Sequence, residues 1–406
     1  MTATVVPETT TRRASPAWWI GVSIVLVAAN LRPAVVAVSP LLEEIQAVER
    51  LSGTAAGVLT ALPVLCFGLL APVAPRLAAR FGIERTLVGA LVVLCLGIAL
   101  RIVDATAALF AGTVLVGGAI AVGNVLLPGL IKRDFAHRTG LMTGLYTMAI
   151  TAGGGLAAGL TVPVARAAGL GWHGALGAWG LFALVALLVW SPQAHGAQHR
   201  PRQESGSPGG LWHNALAWQV TAFMGLQSLC FYAAAAWLPA VFVSRGADAA
   251  EAGWLLSLAN GVGIAGSLVA PVVAARLRAQ TAVAVAATGV TALGLLGTLL
   301  LPGAEIVSMA VFGIGQGAAI GIALTLIVLR APDGAHASQL SGMAQSMGYL
   351  LAASGPFMLG ALHDLTDSWT VPLVVLLALL APQALSGGLA GRERFVARRR
   401  ARPSGL

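Results

Sequence analysis

The sequence carries very little charge. Only 10% of its 406 residues are Asp, Glu, Lys or Arg, 57% are hydrophobic, and the mean hydropathy is +0.85. Soluble domains carry about 25% charged residues, so this chain could not cover a water-facing surface of its size. The composition excludes a soluble globular protein and predicts an integral helical membrane protein in a lipid bilayer.

Cysteine is also scarce. Cys66, Cys95 and Cys230 all lie in apolar segments, and their spacing fits neither a disulfide nor a metal site. We therefore expect free thiols, no metal and no cofactor. Residues 1–16 are polar and the first apolar run is too long for a signal-peptide core, so no cleavable signal is predicted.

Twelve apolar segments are long enough to cross a membrane, which takes about 20 helical residues. Only a helix satisfies its own backbone hydrogen bonds inside lipid, so each segment is predicted to be helical. The segments, numbered 1 to 12, are 17–41, 53–75, 86–103, 107–131, 139–163, 172–191, 214–243, 250–275, 281–301, 305–330, 339–363 and 369–390.

Basic residues are concentrated in alternate loops. Nineteen of the 24 Lys and Arg residues fall at the N-terminus, in loops after even-numbered segments and at the C-terminus, and four fall in the other loops. Cytoplasmic loops carry such an excess, so both termini are predicted to be cytoplasmic in a bacterial inner membrane. The pattern indicates orientation, and no nucleic-acid partner is expected.

A polar stretch divides the chain into halves. Residues 192–213 are rich in Pro, Gly, Gln and Ser, which predicts a flexible cytoplasmic linker. It separates an N-terminal six-helix bundle, 17–191, from a C-terminal six-helix bundle, 214–390. Cytoplasmic tails, 1–16 and the basic 391–406, are expected at the two ends.

The two halves repeat each other at a steady offset. Gly117–Gly123 matches Gly315–Gly321, Ala71-Pro72-Val73 matches Ala270-Pro271-Val272, and Thr139-Gly140 matches Ser341-Gly342. Two parallel six-helix repeats joined by a linker are the layout of a major facilitator transporter. The predicted fold class is an all-α integral membrane protein of twelve transmembrane helices in two pseudo-repeats.

Several motifs resemble the cyanate/2-nitroimidazole transporter family of the major facilitator superfamily. The motifs are Asn30-Leu31-Arg32-Pro33 with Ser39-Pro40-Leu41-Leu42, Gly123-Asn124-Val125-Leu126-Leu127-Pro128 running into Ile131-Lys132-Arg133-Asp134-Phe135, Thr143-Gly144-Leu145-Tyr146, and the loop from Pro75 to Arg85. The resemblance extends over all twelve segments. It implies transport by alternating access of cyanate or nitroimidazole-like compounds, in a protein expected to work as a monomer.

Arg32 is the candidate substrate-binding residue, because it is the one charge placed well inside an apolar segment. A charge at that depth costs about 3 kcal/mol or more unless it faces a polar cavity or a partner. Pro33 cannot donate to the carbonyl of Ala29, so the helix should loosen there and let Asn30 and Arg32 both reach a cavity. The alternative is a structural Arg that hydrogen-bonds helix carbonyls.

A second proline falls in segment 4. Pro128 should free the carbonyl of Asn124 and open that helical turn. Asn124 is a candidate for lining the transport pathway, and equally for an interhelical hydrogen bond.

Other polar residues lie mid-membrane on segments expected to line or flank the cavity. The candidate ligands are Tyr146, Gln227, Tyr232 and Gln316, and each could instead join two helices by a hydrogen bond. All three tyrosines of the chain, including Tyr349, fall on such segments, which favours a role in substrate contact.

Basic loop residues form a third group. Arg76, Arg80, Arg85 and Arg276 are candidates for a cytoplasmic latch between the halves, and simple retention of positive charge on the cytoplasmic side explains them nearly as well.

Acidic residues are missing from the interiors of the apolar segments. All 15 Asp and Glu residues map to loops, tails or segment ends. Proton-coupled transporters usually need a titratable group in the pathway. The absence predicts uniport, anion exchange, or symport in which the proton travels with the substrate.

The leading functional hypothesis is a secondary transporter that moves a small anionic or polar solute, such as cyanate, bound near the midplane at Arg32. The alternative is an exporter of nitroimidazole-like or other amphipathic compounds. An enzyme is not expected, because no His, Asp, Ser or metal ligands cluster at one membrane face. A sensor would need a larger signalling domain than 192–213 or the tail provides.

Overall fold

The computed structural model describes residues 17–38, 41–51, 53–167, 169, 171–196, 209–247 and 249–396. Helices dominate these residues, and no strand occurs among them. The predicted N-terminal tail, the C-terminal tail from residue 397 onward and residues 197–208 of the predicted linker lie outside the described residues.

The first predicted segment is a broken helix rather than a continuous one. Helix α1 spans Ala17–Ala29, and a short helix α2 spans Pro33–Val36. The three residues between them form turns. The break is the one that Pro33 predicts, because proline has no N–H to donate to the preceding turn.

The second predicted segment is also interrupted. Helix α4, Gly53–Leu70, and helix α5, Val73–Phe81, meet at a bend of 56° around Ala71 and Pro72. The matching tripeptide in the other half, with Pro271, stays inside a continuous helix. The sequence repeat therefore does not extend to this bend.

The remaining helices follow the predicted segments. Helix α3, Leu42–Glu49, lies between the first two segments, and α10, Gly209–Trp212, precedes the second half. The others are α6 Ile83–Arg101, α7 Thr106–Asp134, α8 Thr139–Ala167, α9 Trp172–Gly196, α11 Ala215–Ser244, α12 Ala249–Arg276, α13 Thr281–Leu300, α14 Glu305–Arg330, α15 Gly334–Thr366 and α16 Thr370–Ala390. Helix α9 continues into the first residues of the predicted linker.

Ten helices among the described residues are long and apolar enough to cross a membrane, or eleven if the bent α4–α5 pair counts as one span. Helix α15 corresponds to the remaining predicted segment. Its 33 residues would extend about 50 Å, but its first half is polar, with Gln339, Gln345 and several serines. This polar stretch packs inside the protein, where Gln345 is buried.

The two halves of the chain touch along a limited set of helices. We call α1–α9 the N-terminal half and α10–α16 the C-terminal half. Helix α12 packs on α8, and α15 packs on α4, α5 and α7. These contacts concentrate where α7 ends, α8 begins, α12 ends and α15 begins. The neighbouring loops carry most of the basic residues, so we call this side of the molecule the basic face.

Glycines allow the halves to approach closely at the basic face. A Cβ on Gly140 would overlap the Cβ of Ala275, and a Cβ on Gly129 would overlap the hydroxyl of Ser338. Farther from the basic face along α8 and α12, Gly155 and Gly261 have nothing within 4 Å of a Cβ position. Close packing between α8 and α12 therefore belongs to the basic face.

Arg330 is a buried structural residue rather than a loop charge. Its Nε donates to the carbonyl of Ala390 at 2.8 Å, and its Nη2 donates to the carbonyl of Gly391 and the side chain of Gln280. The guanidinium thus binds orphan carbonyls where α16 ends. It fastens α14, α16 and the start of α13 together.

Candidate functional site

The break in the first membrane segment places Arg32. The N–H groups of Asn30 and Leu31 donate to Val27 and Ala28 in a tightened last turn of α1. The carbonyl of Arg32 then accepts from Val35 and begins α2. Arg32 therefore lies at the junction between the end of α1 and the start of α2.

Helix α8 packs directly against this junction. A Cβ on Gly153 would overlap the carbonyl oxygen of Ala29, the group that Pro33 leaves without a helical donor. A Cβ on Gly154 would sit 3.4 Å from the Cβ of Arg32. Two adjacent glycines thus let the α8 backbone support the broken helix.

A second arginine, Arg101 at the end of α6, supports the other side of the junction. It is 1% exposed, although the charge pattern predicts a loop residue there. Its Nη1 donates to the carbonyl of Ala34 in α2, and its Nε donates to the hydroxyl of Thr113 at 3.1 Å. Arg32, which is half-buried, is therefore not the only charged residue within a predicted segment, and Arg101 holds α2 in place.

Aromatic side chains surround the guanidinium of Arg32. Its Cζ lies 5.8 Å from the centre of the Phe231 ring, a cation–π distance. Tyr232 lies close to Arg32, and Tyr146 and Tyr349 are its other tyrosine neighbours. All three tyrosines of the chain thus converge on one arginine from helices α8, α11 and α15.

The rings also contact one another. Tyr232 and Tyr349 have ring centres 6.5 Å apart, and Phe67 packs on Tyr349 at 5.4 Å. Phe231 and Tyr232 meet edge to face at 5.3 Å. Arg32 and these aromatic residues, Phe67, Tyr146, Phe231, Tyr232 and Tyr349, form what we call the Arg32 site.

Phe231, Phe67 and Tyr349 were outside the candidate ligands favoured from sequence. The phenylalanines carry no polar group to mark them in an apolar segment, and only the contacts of Phe231 with Arg32 and of Phe67 with Tyr349 indicate a role. The signal for Tyr349 was available, because the three tyrosines share cavity-type segments.

Asn30 does not accompany Arg32 in these contacts. It is 3% exposed, and its Nδ2 donates to the carbonyl of Leu26 at 2.9 Å. The side chain thus satisfies the end of α1, where the break leaves carbonyls without helical partners.

The predicted glutamines differ in their surroundings. The Nε2 of Gln227 donates to the carbonyl of Met224 and to the Ser228 hydroxyl, both in its own helix. Gln316 is buried beside the Cys230 thiol, and neither amide atom has a hydrogen-bond partner among the described residues. The Tyr146 hydroxyl is likewise buried and unpartnered there. Tyr146 and Gln316 therefore keep buried hydrogen-bonding groups without partners among the described residues.

Asn124 contributes its backbone. Its carbonyl, freed by Pro128, accepts a 2.7 Å hydrogen bond from the Nε2 of Gln345 across the two halves. Asn124 thus joins the two halves through its main chain, and a role for its side chain stays a prediction.

Among the described residues, the predicted latch arginines form no hydrogen bond or ion pair between the halves in this conformation. Arg76 reaches a carbonyl of its own helix at 3.5 Å, and Arg80 lies over the neighbouring Phe81 ring. Arg133 pairs with Glu84 at 2.7 Å inside the N-terminal half. The latch role of Arg76, Arg80, Arg85 and Arg276 stays a prediction.

Asp333 is the N-cap of α15, the helix of the C-terminal half that packs on α4, α5 and α7. It caps α15 by accepting from the His336 N–H at 2.9 Å, and it pairs with the His336 ring at 2.8 Å. Burial alone would raise the pKa of Asp333, but these hydrogen bonds outweigh it and hold the pKa below its usual value. The start of α15 is therefore firmly capped.

Acidic groups lie away from the Arg32 site. No Asp or Glu is among the fully buried side chains of the described residues. On the face opposite the basic loops, Glu49, Asp104 and His173 have possible ligand atoms within 4.8 Å of one another. Asp104 is exposed, and this group was not anticipated from the sequence spacing.

Comparison with known proteins identifies the family. The family model described as Major Facilitator Superfamily matches residues 18–356. An uncharacterized transporter, YycB, of Bacillus subtilis is 44% identical over 93% of this chain and 95% of its own length. The 2-nitroimidazole transporter of Escherichia coli is 41% identical (92% and 95%), and the cyanate transport protein CynX of Escherichia coli is 30% identical (85% and 90%).

The fold agrees with solved transporter structures. The proton:xylose symporter XylE superposes with a TM-score of 0.75 at 15% identity, over 94% of this chain and 97% of that one. These relatives and neighbours are transporters rather than enzymes. The chain is therefore a multi-pass membrane transporter, and it belongs to the major facilitator superfamily, together with the 2-nitroimidazole and cyanate transporters.

Proposed function

We propose that this chain transports a small planar solute with an anionic or nitro group by alternating access. The solute binds at the Arg32 site. The observation that carries the proposal is the convergence of three tyrosines and Phe231 on Arg32. A guanidinium is a planar fork of donors that suits two oxygens in one plane, as in a carboxylate or nitro group. The aromatic faces would hold the rest of a flat solute.

The charge of the site supports an electron-rich solute. Arg32 forms no ion pair with a carboxylate among the described residues. A membrane-embedded charge without a protein counter-ion is costly, and a bound anion or nitro group would lower that cost. The solute would thus supply the negative charge or electron-rich oxygens that balance Arg32.

The relatives support the same class of solute. One is named for 2-nitroimidazole, a flat ring that carries a nitro group, and another for cyanate, a small linear anion. The aromatic walls favour the ring over the linear anion, because a three-atom ion would leave most of the aromatic surface unused. Cyanate, the leading candidate from the sequence alone, becomes the second candidate, supported by the single charge of Arg32.

The bundles are proposed to move as units. The N-terminal bundle, 17–191, and the C-terminal bundle, 214–390, would rock about the Arg32 site, joined by the linker 192–213. With the basic face cytoplasmic in a bacterial inner membrane, as the charge pattern predicts, this conformation is closed to the cytoplasm. Solute would then enter the site from the opposite side in this state.

Uptake by proteoliposomes tests the proposal. Purified full-length protein would be reconstituted and supplied with labelled 2-nitroimidazole, benzoate or cyanate. We expect saturable uptake of at least one of them, abolished in Arg32→Gln and retained in the exposed-residue control Arg50→Gln. No saturable uptake of any of the three, or equal uptake by Arg32→Gln, would refute the proposal.

A further inference from the structure

Two of the carbonyl groups that prolines leave without helical donors in the N-terminal half are those of Asn124 and Gly68. Pro128 has no N–H for the carbonyl of Asn124, and Pro72 has none for the carbonyl of Gly68. Both carbonyls lie where the halves meet at the basic face. A buried carbonyl without a partner is unfavourable, so each needs a donor from elsewhere.

Adjacent residues of α15 supply the two donors. The Nε2 of Gln345 donates to the Asn124 carbonyl at 2.7 Å, and the Oγ of Ser346 donates to the Gly68 carbonyl at 2.6 Å. The Oγ of Ser341 accepts from Gln345 at 2.8 Å and so orients its amide. Gln345 is 1% and Ser346 is 4% exposed. One turn of α15, in the C-terminal half, thus provides donors for the Asn124 and Gly68 carbonyls of the N-terminal half.

The pseudo-symmetric positions lack this arrangement. At the offset that aligns Thr139-Gly140 with Ser341-Gly342, Gln345 and Ser346 correspond to Thr143 and Gly144. Gly144 has no side chain to donate, and the Thr143 hydroxyl is buried without a partner among the described residues. The hydrogen-bonded closure is therefore specific to α15.

We propose that Gln345 and Ser346 are positioning residues that hold the basic face closed, through hydrogen bonds to the main-chain carbonyls of Asn124 and Gly68. Separation of the halves at the basic face must break both bonds and release the two carbonyls to water. The hydrogen bonds thereby set the ratio of closed to open conformations. The proposal rests on the alternating-access function above.

A distance measurement between the halves tests the proposal without any solute. Arg80 and Arg278 are exposed on the basic face, one in each half. Spin labels at Arg80→Cys and Arg278→Cys, in full-length protein with Cys66, Cys95 and Cys230 replaced by alanine, report the separation in nanodiscs. We expect Gln345→Met and Ser346→Ala each to raise the open-to-closed ratio roughly two- to tenfold, and the double variant more.

Ser354→Ala is the matched control on the same helix, because its exposed hydroxyl binds only the Leu351 carbonyl of its own helix. It should leave the distances unchanged. If Gln345→Met does not fold, Gln345→Asn keeps the amide but shortens its reach, and it should open the face similarly. Unchanged distances in the folded double variant would overturn the proposal.

This result is separable from the transport result. Opening of the face in the variants, without uptake of any tested solute by the wild type, would refute the proposed solute and leave the role of Gln345 and Ser346 standing. Arg32-dependent uptake with unchanged distances would overturn that role alone.

Discussion

The backbone of Gly153 packs against the carbonyl oxygen of Ala29, the group that Pro33 deprives of its helical donor. This contact fits helix α8 into the break of the first membrane segment. The position of Arg32 therefore depends on Gly153, although glycine has no side chain to bind solute. The neighbouring Gly154 packs beside the Cβ of Arg32.

Substitution of Gly153 should therefore impair the Arg32 site. A Cβ in Gly153→Ala would overlap the Ala29 carbonyl, so α8 must move away and the junction must shift. We expect solute affinity to fall at least about tenfold, since a displacement of about 1 Å can cost far more in a positioned site. Gly155→Ala, with open space at its Cβ, is the control and should bind normally; equal loss in both variants would contradict this reading.

Tyr232 should contribute to solute binding through both its ring and its hydroxyl. Tyr232→Phe removes the hydroxyl near the guanidinium and should weaken binding about two- to tenfold. Tyr232→Leu also removes the ring and should weaken binding a further threefold or more, roughly. Binding isotherms with 2-nitroimidazole measure both steps. Phe357→Leu, at a ring that is 83% exposed, should change nothing.

Arg101 should matter to stability as well as to binding. Arg101→Met leaves the buried carbonyl of Ala34 without its donor, which costs about 1–3 kcal/mol. The variant should unfold at a lower temperature and bind solute more weakly, because α2 loses a support beside Arg32. Thermal unfolding with and without solute measures both effects. Wild-type behaviour of Arg101→Met would show that α2 is held by its packing alone.

Close packing at the basic face should set the conformational balance. Gly140→Ala adds a Cβ that overlaps Ala275, so closure of this face should become less favourable. Spin-label distances across the face should then lengthen, and the second substitution Ala275→Gly should restore part of the closed population. Gly289→Ala, in open space on α13, serves as the control. Short distances in Gly140→Ala would contradict the closed packing described here.

Solute movement should not require a pH gradient. No carboxylate is fully buried among the described residues, so a proton would have no acidic relay in that part of the protein. Uptake into proteoliposomes should be the same with and without an imposed gradient. Accumulation that depends strictly on the gradient would rule out uniport and exchange, and leave symport with the proton on the solute.

Much of the architecture follows from composition and proline positions. Apolar segment lengths predict the membrane helices, and Pro33 predicts the break that exposes Arg32. The sequence could not distinguish the bend at Pro72 from the continuous helix at Pro271, because both prolines lie in the same tripeptide, Ala-Pro-Val. At Pro72, Ser346 binds the freed carbonyl, and such a partner arises only from tertiary packing.

The polar residues show the same limit. Arg101 and Arg330 stand at the ends of the predicted segments 86–103 and 305–330, where a charge usually faces water, yet both guanidinium groups are buried on backbone carbonyls. Asn30 likewise serves a helix end. Sequence distinguishes a polar side chain from an apolar one, but the choice between binding solute and satisfying carbonyls depends on which helix ends lie nearby.

Binding of matched ligands to wild type, Arg32→Lys and Arg32→Gln tests the central claim most directly. The pair is 2-nitroimidazole and 2-bromoimidazole, which share the ring, are not protonated to cations at neutral pH, and differ in the group proposed to face the guanidinium. We predict that the wild type binds the nitro compound at least about tenfold more tightly, that Arg32→Lys loses much of this preference, and that Arg32→Gln loses all of it. An unchanged preference in folded Arg32→Gln would show that Arg32 does not bind the solute.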